Sequence, residues 1–148
     1  MEVAGEIVVN AGKEEVWRVL NDPSTLQKAT PGCKTLTEVG PDCYQAKISV
    51  GVAAVRGEYE STIQILEKCE PDRYRLVMTA NSPVGFVSGD AVVELISENA
   101  KTHIQYSGTA QVGGKIAGVG QRILAGIAKL IVNDFFKKIA KETNAQIS

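Results

Sequence analysis

Apolar and polar residues alternate one for one through most of residues 43–112, and this pattern constrains the fold more than any other feature of the sequence. Turn sequences such as Glu70-Pro71-Asp72 interrupt the alternation between successive segments. Strands of this kind, joined by short turns, form an antiparallel meander with one dry and one wet face. A short strand over 34–39 precedes the meander, and the alternation from Val3 to Val9 predicts an opening strand.

Helical periodicity follows the opening strand in two short segments. Residues 13–20 place Val16, Trp17 and Leu20 on one stripe, and the pattern stops before Pro23 because the residue preceding a proline is disfavoured in the helical conformation. Residues 24–28 fit a second short helix. We therefore predict two short helices between the first strand and the meander.

The longest helical pattern covers about 25 residues from Ile116 towards Glu142, after a break at Gly113-Gly114. Its apolar side can be buried only against the dry face of the meander, because no other large apolar surface is predicted. The fold predicted is a single α+β domain over 1–148, with a curved antiparallel sheet of about seven strands wrapped around the long C-terminal helix. The apolar side of that helix comprises Ala117, Gly120, Leu124, Ile127, Ala128, Ile131 and Phe135.

The side chains predicted to line the interior are mostly small or aliphatic, since only 5% of the chain is aromatic. An empty apolar cavity costs about 24 cal/mol per Å³, so such a lining favours a hydrophobic ligand beneath the helix. The alternative is that the sheet bends enough to close the gap. A phenylalanine at Ala91 or Gly108 is expected to fill the cavity and leave the fold intact. The predicted lining comprises Tyr44, Ala46, Ile48, Tyr59, Ser61, Ile63, Leu76, Met78, Val87, Gly89, Ala91, Tyr106, Gly108, Gly120, Leu124, Ile127 and Ile131.

The predicted inner faces of the strands carry no charged side chain, which disfavours catalysis by a nucleophile and base or by paired carboxylates. The hydroxyls of Tyr59, Ser61 and Tyr106 can either orient a carbonyl or hydroxyl of a ligand or belong to an ordinary core. His103, the single histidine, is predicted on the wet face as a surface residue. The alternative function is an enzyme acting on an aromatic or polyketide ring, with one of these four residues as acid or base.

Composition excludes several other classes of protein. A net charge of -1 and a pI of about 5.9 disfavour nucleic-acid binding. The three cysteines include no C-x-x-C pair, so neither a zinc site nor a disulfide framework is predicted. Without a basic, apolar signal at the N-terminus or an uninterrupted apolar run, the chain is expected to be cytoplasmic.

Two glycine-containing loops require separate interpretation. The loop over 113–122 lacks the phosphate-loop pattern, because Ile116 and Thr109 stand where a hydroxyl residue and a glycine are needed. Gly118 and Gly120 are instead expected to let the helix approach the sheet or to keep a cavity mouth open. Residues 81–86 are expected to form a wide connection, whose Phe86 either gates the cavity or covers a sheet edge.

Short motifs spread from Glu6 to Phe136 carry a resemblance to a known family. With these motifs in the predicted order of elements, the chain resembles the START-like helix-grip (SRPBCC) fold, and within it the CoxG family of carbon monoxide dehydrogenase subunits. The motifs are Val16-Trp17, Leu20-Asn21-Asp22-Pro23, Pro31-Gly32-Cys33, Gly40 with Tyr44, Gly57, Tyr74-Arg75-Leu76, Gly85-Phe86 with Gly89, the run 111–117, Val119-Gly120 with Arg122, and Phe135-Phe136.

The resemblance implies a non-enzymatic accessory protein of molybdenum-containing carbon monoxide dehydrogenases and related hydroxylases. It implies a quinone-like lipid as the bound ligand, with no other cofactor. Because the sequence stops at Ser148 without the tail of longer relatives, we expect at most transient contact with the inner face of a membrane. An assembly factor that acts through its outer surface is a further alternative.

Overall fold

Seven antiparallel strands and three α-helices make up residues 1–143, the part of the chain that the computed structural model describes. The first half of the chain forms β1 (Glu2–Val9), α1 (Lys13–Leu20), α2 (Pro23–Ala29), β2 (Cys33–Gly40) and β3 (Cys43–Val50). The second half forms β4 (Gly57–Cys69), β5 (Arg73–Ser82), β6 (Gly85–Glu98), β7 (Lys101–Gly113) and α3 (Gln121–Glu142). Two 3₁₀ turns, Ala53–Val55 and Lys115–Val119, precede β4 and α3 respectively.

The strands form one sheet in the order β1-β7-β6-β5-β4-β3-β2, and every neighbouring pair is antiparallel. Strands β2 to β7 are therefore consecutive neighbours, which confirms the predicted meander. Antiparallel register aligns residues of the same face across strands: Tyr44 lies opposite Ile63, Ile63 opposite Met78, and Met78 opposite Gly89. We call the face that carries these residues, which is turned towards α3, the inner face.

Successive turns of the meander lie at opposite ends of the sheet. The turns at 41–42, 70–72 and 99–100 lie at the end occupied by α1, where Trp17 Nε1 donates a hydrogen bond to Glu70 at 3.1 Å. We call this the helical end. The connections over 51–56, 83–84 and 114–120 lie at the opposite end, which we call the loop end.

The predicted start of the long helix is wrong. Residues 115–119 form a 3₁₀ turn, and α3 begins only at Gln121, because Gly120 has a φ of 100° that favours glycine and interrupts the helical path. A side chain at Gly118 would meet no atom within 4 Å, so this residue does not allow a close approach to the sheet. Within residues 1–143, no helix combines the length and hydrophobicity that a membrane span requires.

The predicted wide connection over 81–86 is also wrong. Strand β5 ends at Ser82 and β6 begins at Gly85, so only Pro83 and Val84 connect them. The Phe86 ring packs on Gly113, its partner in β7, and Phe86 belongs to the outer face because Val87, the next residue, belongs to the inner face. Its ring therefore covers the backbone of a neighbouring strand, not a sheet edge.

Two separate clusters of buried residues form the hydrophobic core. The larger cluster lies towards the helical end, and its fully buried members include Leu20, Ile104 and Ile139. The smaller cluster lies at the loop end and consists of Val55, Tyr59, Ala80, Ile116 and Leu124. A stretch of inner face between the two clusters belongs to neither of them.

Gly108 lies where β7 passes close to β6, and the expectation that phenylalanine is tolerated there is wrong. A Cβ atom added at Gly108 would overlap the carbonyl oxygen of Asp90 and lie 2.6 Å from the Cβ of Ala91. We predict that Gly108→Ala destabilises the protein by about 1–3 kcal/mol, because the backbone of β6 must shift. Urea denaturation followed by circular dichroism measures this difference.

Gly89→Ala is the matched control, since its added Cβ would lie 3.4 Å from Met78 Cγ in ordinary van der Waals contact. We expect this variant to be neutral or stabilised by up to about 1 kcal/mol. Equal destabilisation of both variants would contradict the close approach at Gly108.

Candidate ligand-binding site

The strand residues predicted to line a cavity all lie on the inner face. The register places them in continuous rows, such as Leu76 opposite Ala91 and Ala91 opposite Gly108. The buried members are Tyr44, Ala46, Tyr59, Ser61 and Tyr106. The half-buried members are Ile48, Ile63, Leu76, Met78, Val87, Gly89, Ala91 and Gly108.

The predicted lining residues of helix α3 are buried to different extents along the helix. Leu124, in the first turns, is buried in the loop-end cluster, and Ile127 is half-buried against that cluster. Ile131, near the middle of the helix, is half-buried and belongs to neither core cluster. The same is true of Ala91 on the sheet. Gly120 precedes the helix and is half-buried. Half-buried residues that pack against neither cluster therefore lie midway between the two ends.

Partial exposure on an inner face has a direct physical meaning. A side chain such as Met78 or Ala91 stands in the middle of a seven-stranded sheet, with neighbouring strands on both sides. Solvent can reach it only from the side facing α3, so the helix does not cover it fully. Apolar surface that remains accessible inside a fold is the surface that an apolar ligand can bury.

The predicted lining omitted part of this surface. Ala110 and Val112 of β7 are half-buried on the inner face, opposite Gly89 and Val87. Val3 of β1 is half-buried against the larger cluster. The same period-two alternation marks all three residues, and it is a sufficient signal for including them.

Two of the three predicted hydroxyl groups are engaged within the protein. Tyr59 donates its hydroxyl to the carbonyl of Val55 at 2.7 Å, and Ser61 donates to the carbonyl of Thr79 at 2.9 Å. The first bond links the 3₁₀ turn Ala53–Val55 to β4, and the second links β4 to β5. The prediction of an ordinary structural role therefore accounts for both donors.

Tyr106 differs from these two residues. Its hydroxyl is buried and has no hydrogen-bond partner within residues 1–143. Its ring stacks on Phe136 of α3 with centroids 5.2 Å apart, and a side chain at Gly5 would collide with its hydroxyl end. Burial raises the pKa of Tyr106, so the hydroxyl remains protonated at neutral pH.

Charged groups lie outside this surface. Among the described residues, the inner-face positions of β3 to β7 carry no charged side chain. On the outer face, Arg75 forms an ion pair with Asp90 at 2.5 Å, and the guanidinium lowers the pKa of that carboxyl. His103 lies on the outer face beside Glu6 and Glu98, as predicted, and its hydrogen bond lowers the pKa of Glu6.

Metal ligands and thiols are the other groups of the described residues that could carry chemistry. In residues 1–143, no group of three or more His, Cys, Asp or Glu side chains is arranged to hold a metal ion. Cys33, Cys43 and Cys69 are free thiols.

Two surface depressions lie away from the apolar inner face. One of about 500 Å³ is lined by residues around α2 and α3, including Gln27, Thr30 and Lys138. The other, of about 600 Å³, lies over β3, β4 and β5 and includes Lys47 and Asn81. Of the predicted lining residues, only Tyr59 borders either depression. Charged side chains line both depressions, whereas the partly covered inner face carries none, so the inner face remains the candidate site for an apolar ligand.

Comparison with solved structures defines the class of protein. A conserved protein from Geobacillus kaustophilus has 41% sequence identity and a TM-score of 0.94, with 96% of this chain and 94% of that chain covered. A START superfamily protein from Mycobacterium smegmatis has 10% identity and a TM-score of 0.75, with 96% of each chain covered. A protein from Chromobacterium violaceum has 16% identity and a TM-score of 0.74, covering 98% and 99%. The chain has the START-like helix-grip fold, as predicted.

The family follows from the sequence profile. The profile of CoxG, a family of carbon monoxide dehydrogenase subunits, matches residues 5–144, and the chain belongs to this family. No functionally curated protein matches the sequence significantly.

The unpartnered hydroxyl of Tyr106 leads to a prediction about stability. A buried donor without a partner costs about 1–3 kcal/mol, so we expect Tyr106→Phe to stabilise the ligand-free protein by about 1 kcal/mol. Tyr59→Phe is the matched control and should destabilise it by about 1 kcal/mol, because the bond to the Val55 carbonyl is lost. Urea denaturation of both variants compares the effects, and destabilisation by Tyr106→Phe would show that its hydroxyl has a partner.

Proposed function

We propose that this protein is a non-enzymatic carrier that holds a hydrophobic, quinone-like lipid between the inner face and α3. The observation that carries this proposal is the band of half-buried apolar side chains between the two core clusters. Burial of about 300 Å² of apolar ligand surface would contribute about 7 kcal/mol before the entropic cost of binding. That gain is sufficient for affinity without any ionic contact.

The chemistry of the inner face supports a carrier over an enzyme. General acid-base catalysis requires a titratable group within hydrogen-bonding reach of the substrate. Tyr59 and Ser61 already donate to backbone carbonyls, and His103 lies on the opposite face of the sheet. The Tyr106 hydroxyl is buried beside Gly5, and burial raises its pKa, so it is poorly suited to act as a catalytic base.

Family membership supports the physiological context. Because the chain belongs to the CoxG family of carbon monoxide dehydrogenase subunits, we propose that it serves a molybdenum-containing carbon monoxide dehydrogenase or a related hydroxylase. A quinone held in an uncharged interior is a chemically suitable electron acceptor for such an enzyme. The carrier and its partner enzyme are separable parts of the proposal, and each has its own test.

Extraction of the purified protein with organic solvent, followed by mass spectrometry, tests the ligand directly. We expect a lipid to co-purify in a molar ratio near one, and an added quinone at about 100 times its Kd to raise the Tm of delipidated protein by about 5–10 °C. Absence of lipid together with an unchanged Tm would contradict the carrier. Co-purification with a molybdenum hydroxylase tests the partner independently.

A pocket-filling variant tests whether the ligand lies on the inner face. A Cβ atom at Gly89 would lie in ordinary van der Waals contact with Met78, so Gly89→Leu is expected to extend over the inner face, to keep the fold and to weaken quinone binding at least tenfold. Isothermal titration with a short-chain quinone measures the affinity.

Thr79→Leu is the matched control, because Thr79 is exposed on the outer face of the adjoining strand and the same volume is added outside the site. Equal affinities in the two folded variants would place the ligand elsewhere. Retention of the partner enzyme by a Gly89→Leu variant that no longer binds quinone would show that the outer surface, not the ligand, mediates assembly.

A further inference from the structure

The two edges of the sheet differ in how they are protected. Strand β2, at one edge, pairs with β3 through two register shifts. Gln27 of α2 also donates a hydrogen bond to the backbone carbonyl of Lys34 in this strand at 3.0 Å. Irregular pairing and a covering helix are two means by which proteins prevent another chain from adding to an edge strand. The β2 edge is therefore poorly suited to a further strand.

Strand β1, at the other edge, is regular. Its residues, Glu2–Val9, pair with β7 in one continuous register without a shift. None of the strands within residues 1–143 pairs with the opposite side of β1. A regular edge of this length presents unpaired backbone groups, which can bind an extended chain by adding it to the sheet.

The hydrogen bonds at the start of β1 determine which residues turn their backbone groups outwards. The amino group of Met1 donates to the carbonyl of Ala110 at 3.0 Å, and the Ala110 amide donates to the carbonyl of Met1 at 2.8 Å. In an antiparallel ladder, pairs that exchange both bonds alternate with pairs that exchange none. The odd-numbered residues of β1 therefore bond to β7, and the even-numbered residues direct their amides and carbonyls to the free edge. These residues are Glu2, Ala4, Glu6 and Val8, all exposed.

The side chains along this edge are of two kinds. On the outer face, Glu6 contacts His103, Glu2 forms no ion pair within residues 1–143, and β1 contains no lysine or arginine. On the inner face, Val3 and Ile7 are half-buried and pack against the larger core cluster. An added strand would be stabilised by basic side chains beside the two carboxylates and by apolar side chains beside the two aliphatic residues.

The same acids disfavour pairing with a second copy of the chain. Antiparallel self-pairing centred on Ala4 would place Glu2 of each copy opposite Glu6 of the other, and like charges directly opposite one another destabilise a sheet. Pairing centred on Glu6 would place its two copies opposite each other. Pairing centred on Gly5 would still leave the two Glu6 carboxylates as diagonal neighbours. The charge of the edge therefore favours a different chain of opposite charge.

We propose that the free edge of β1 binds an extended segment of a partner protein in which basic and apolar side chains alternate. Backbone hydrogen bonds to Ala4 and the other even-numbered residues supply affinity, and contacts with Glu2 and Glu6 supply specificity. The apolar side chains of the segment extend the larger core cluster past Val3 and Ile7. This inference does not rest on the proposed ligand, because the edge is free whether or not the inner face is occupied.

Hydrogen exchange measured by NMR tests the edge one amide at a time. In the free protein, we expect the amides of Ala4 and Glu6 to exchange at least tenfold faster than those of Gly5 and Ile7, which bond to β7. The probe is an end-blocked peptide of sequence Thr-Val-Lys-Val-Thr-Val-Lys. In excess, it should slow exchange at Ala4 and Glu6 at least tenfold. The same peptide with glutamate in place of lysine should bind at least tenfold more weakly.

Two variants of the protein examine the two components of the edge. Ala4→Pro removes one outward amide and leaves the bonds to β7 in place, so we expect peptide binding to weaken at least tenfold while the Tm changes by only a few degrees. Glu2→Lys should weaken binding to a similar extent by reversing a charge.

Matched controls retain the edge. Ala4→Ser keeps the outward amide, and Glu60→Lys makes the same charge change at an exposed site in β4. Both should bind the peptide like the unmodified protein. The proposal is overturned if the lysine peptide protects neither Ala4 nor Glu6, if the two peptides bind equally, or if the controls lose as much affinity as the variants. Protection of the same amides in the free protein, together with sedimentation as a dimer, would assign the edge to a second copy and also overturn it.

Discussion

Coverage of a wide sheet by a single narrow helix is the constraint on which the rest of this structure depends. Seven strands at about 4.8 Å spacing are about 29 Å across, whereas a helix with its side chains is only about 10–12 Å wide. Curvature of the sheet reduces the mismatch without removing it. Residues of α1, α2 and the last turns of α3 cover the inner face at the helical end. Residues of the two 3₁₀ turns cover it at the loop end. The inner face between them retains accessible apolar surface.

The two core clusters differ in size and in the elements that form them, so they are expected to differ in stability. The larger cluster contains most of the fully buried side chains, including Leu20, Ile104 and Ile139, and it includes residues of regular helices and strands. The smaller cluster depends on Val55 and Ile116, which belong to 3₁₀ turns. Turns with few buried contacts open at lower free energy than helices and strands. The loop end is therefore the natural route by which a ligand would reach the interior.

Features governed by local periodicity could be predicted from the sequence, and features governed by close contact could not. Alternation with period two determined the register, because a shift by one residue would turn Ile63 or Met78 to the wet face. The start of α3 was misplaced because apolar spacing continues through 116–120, whereas the backbone at Gly120 turns out of the helix. The steric role of Gly108 and the hydrogen bond of Tyr59 depend on spatial contacts, which no local pattern reports.

An uncharged interior also limits how selective this fold can be. Apolar burial scales with area and discriminates weakly between ligands of similar size, whereas directed hydrogen bonds discriminate strongly. With Tyr59 and Ser61 bound to backbone carbonyls, Tyr106 alone among the three predicted hydroxyl residues retains an unused polar group. Any selection among lipids of similar size would then rest mainly on how their shape fits the inner face.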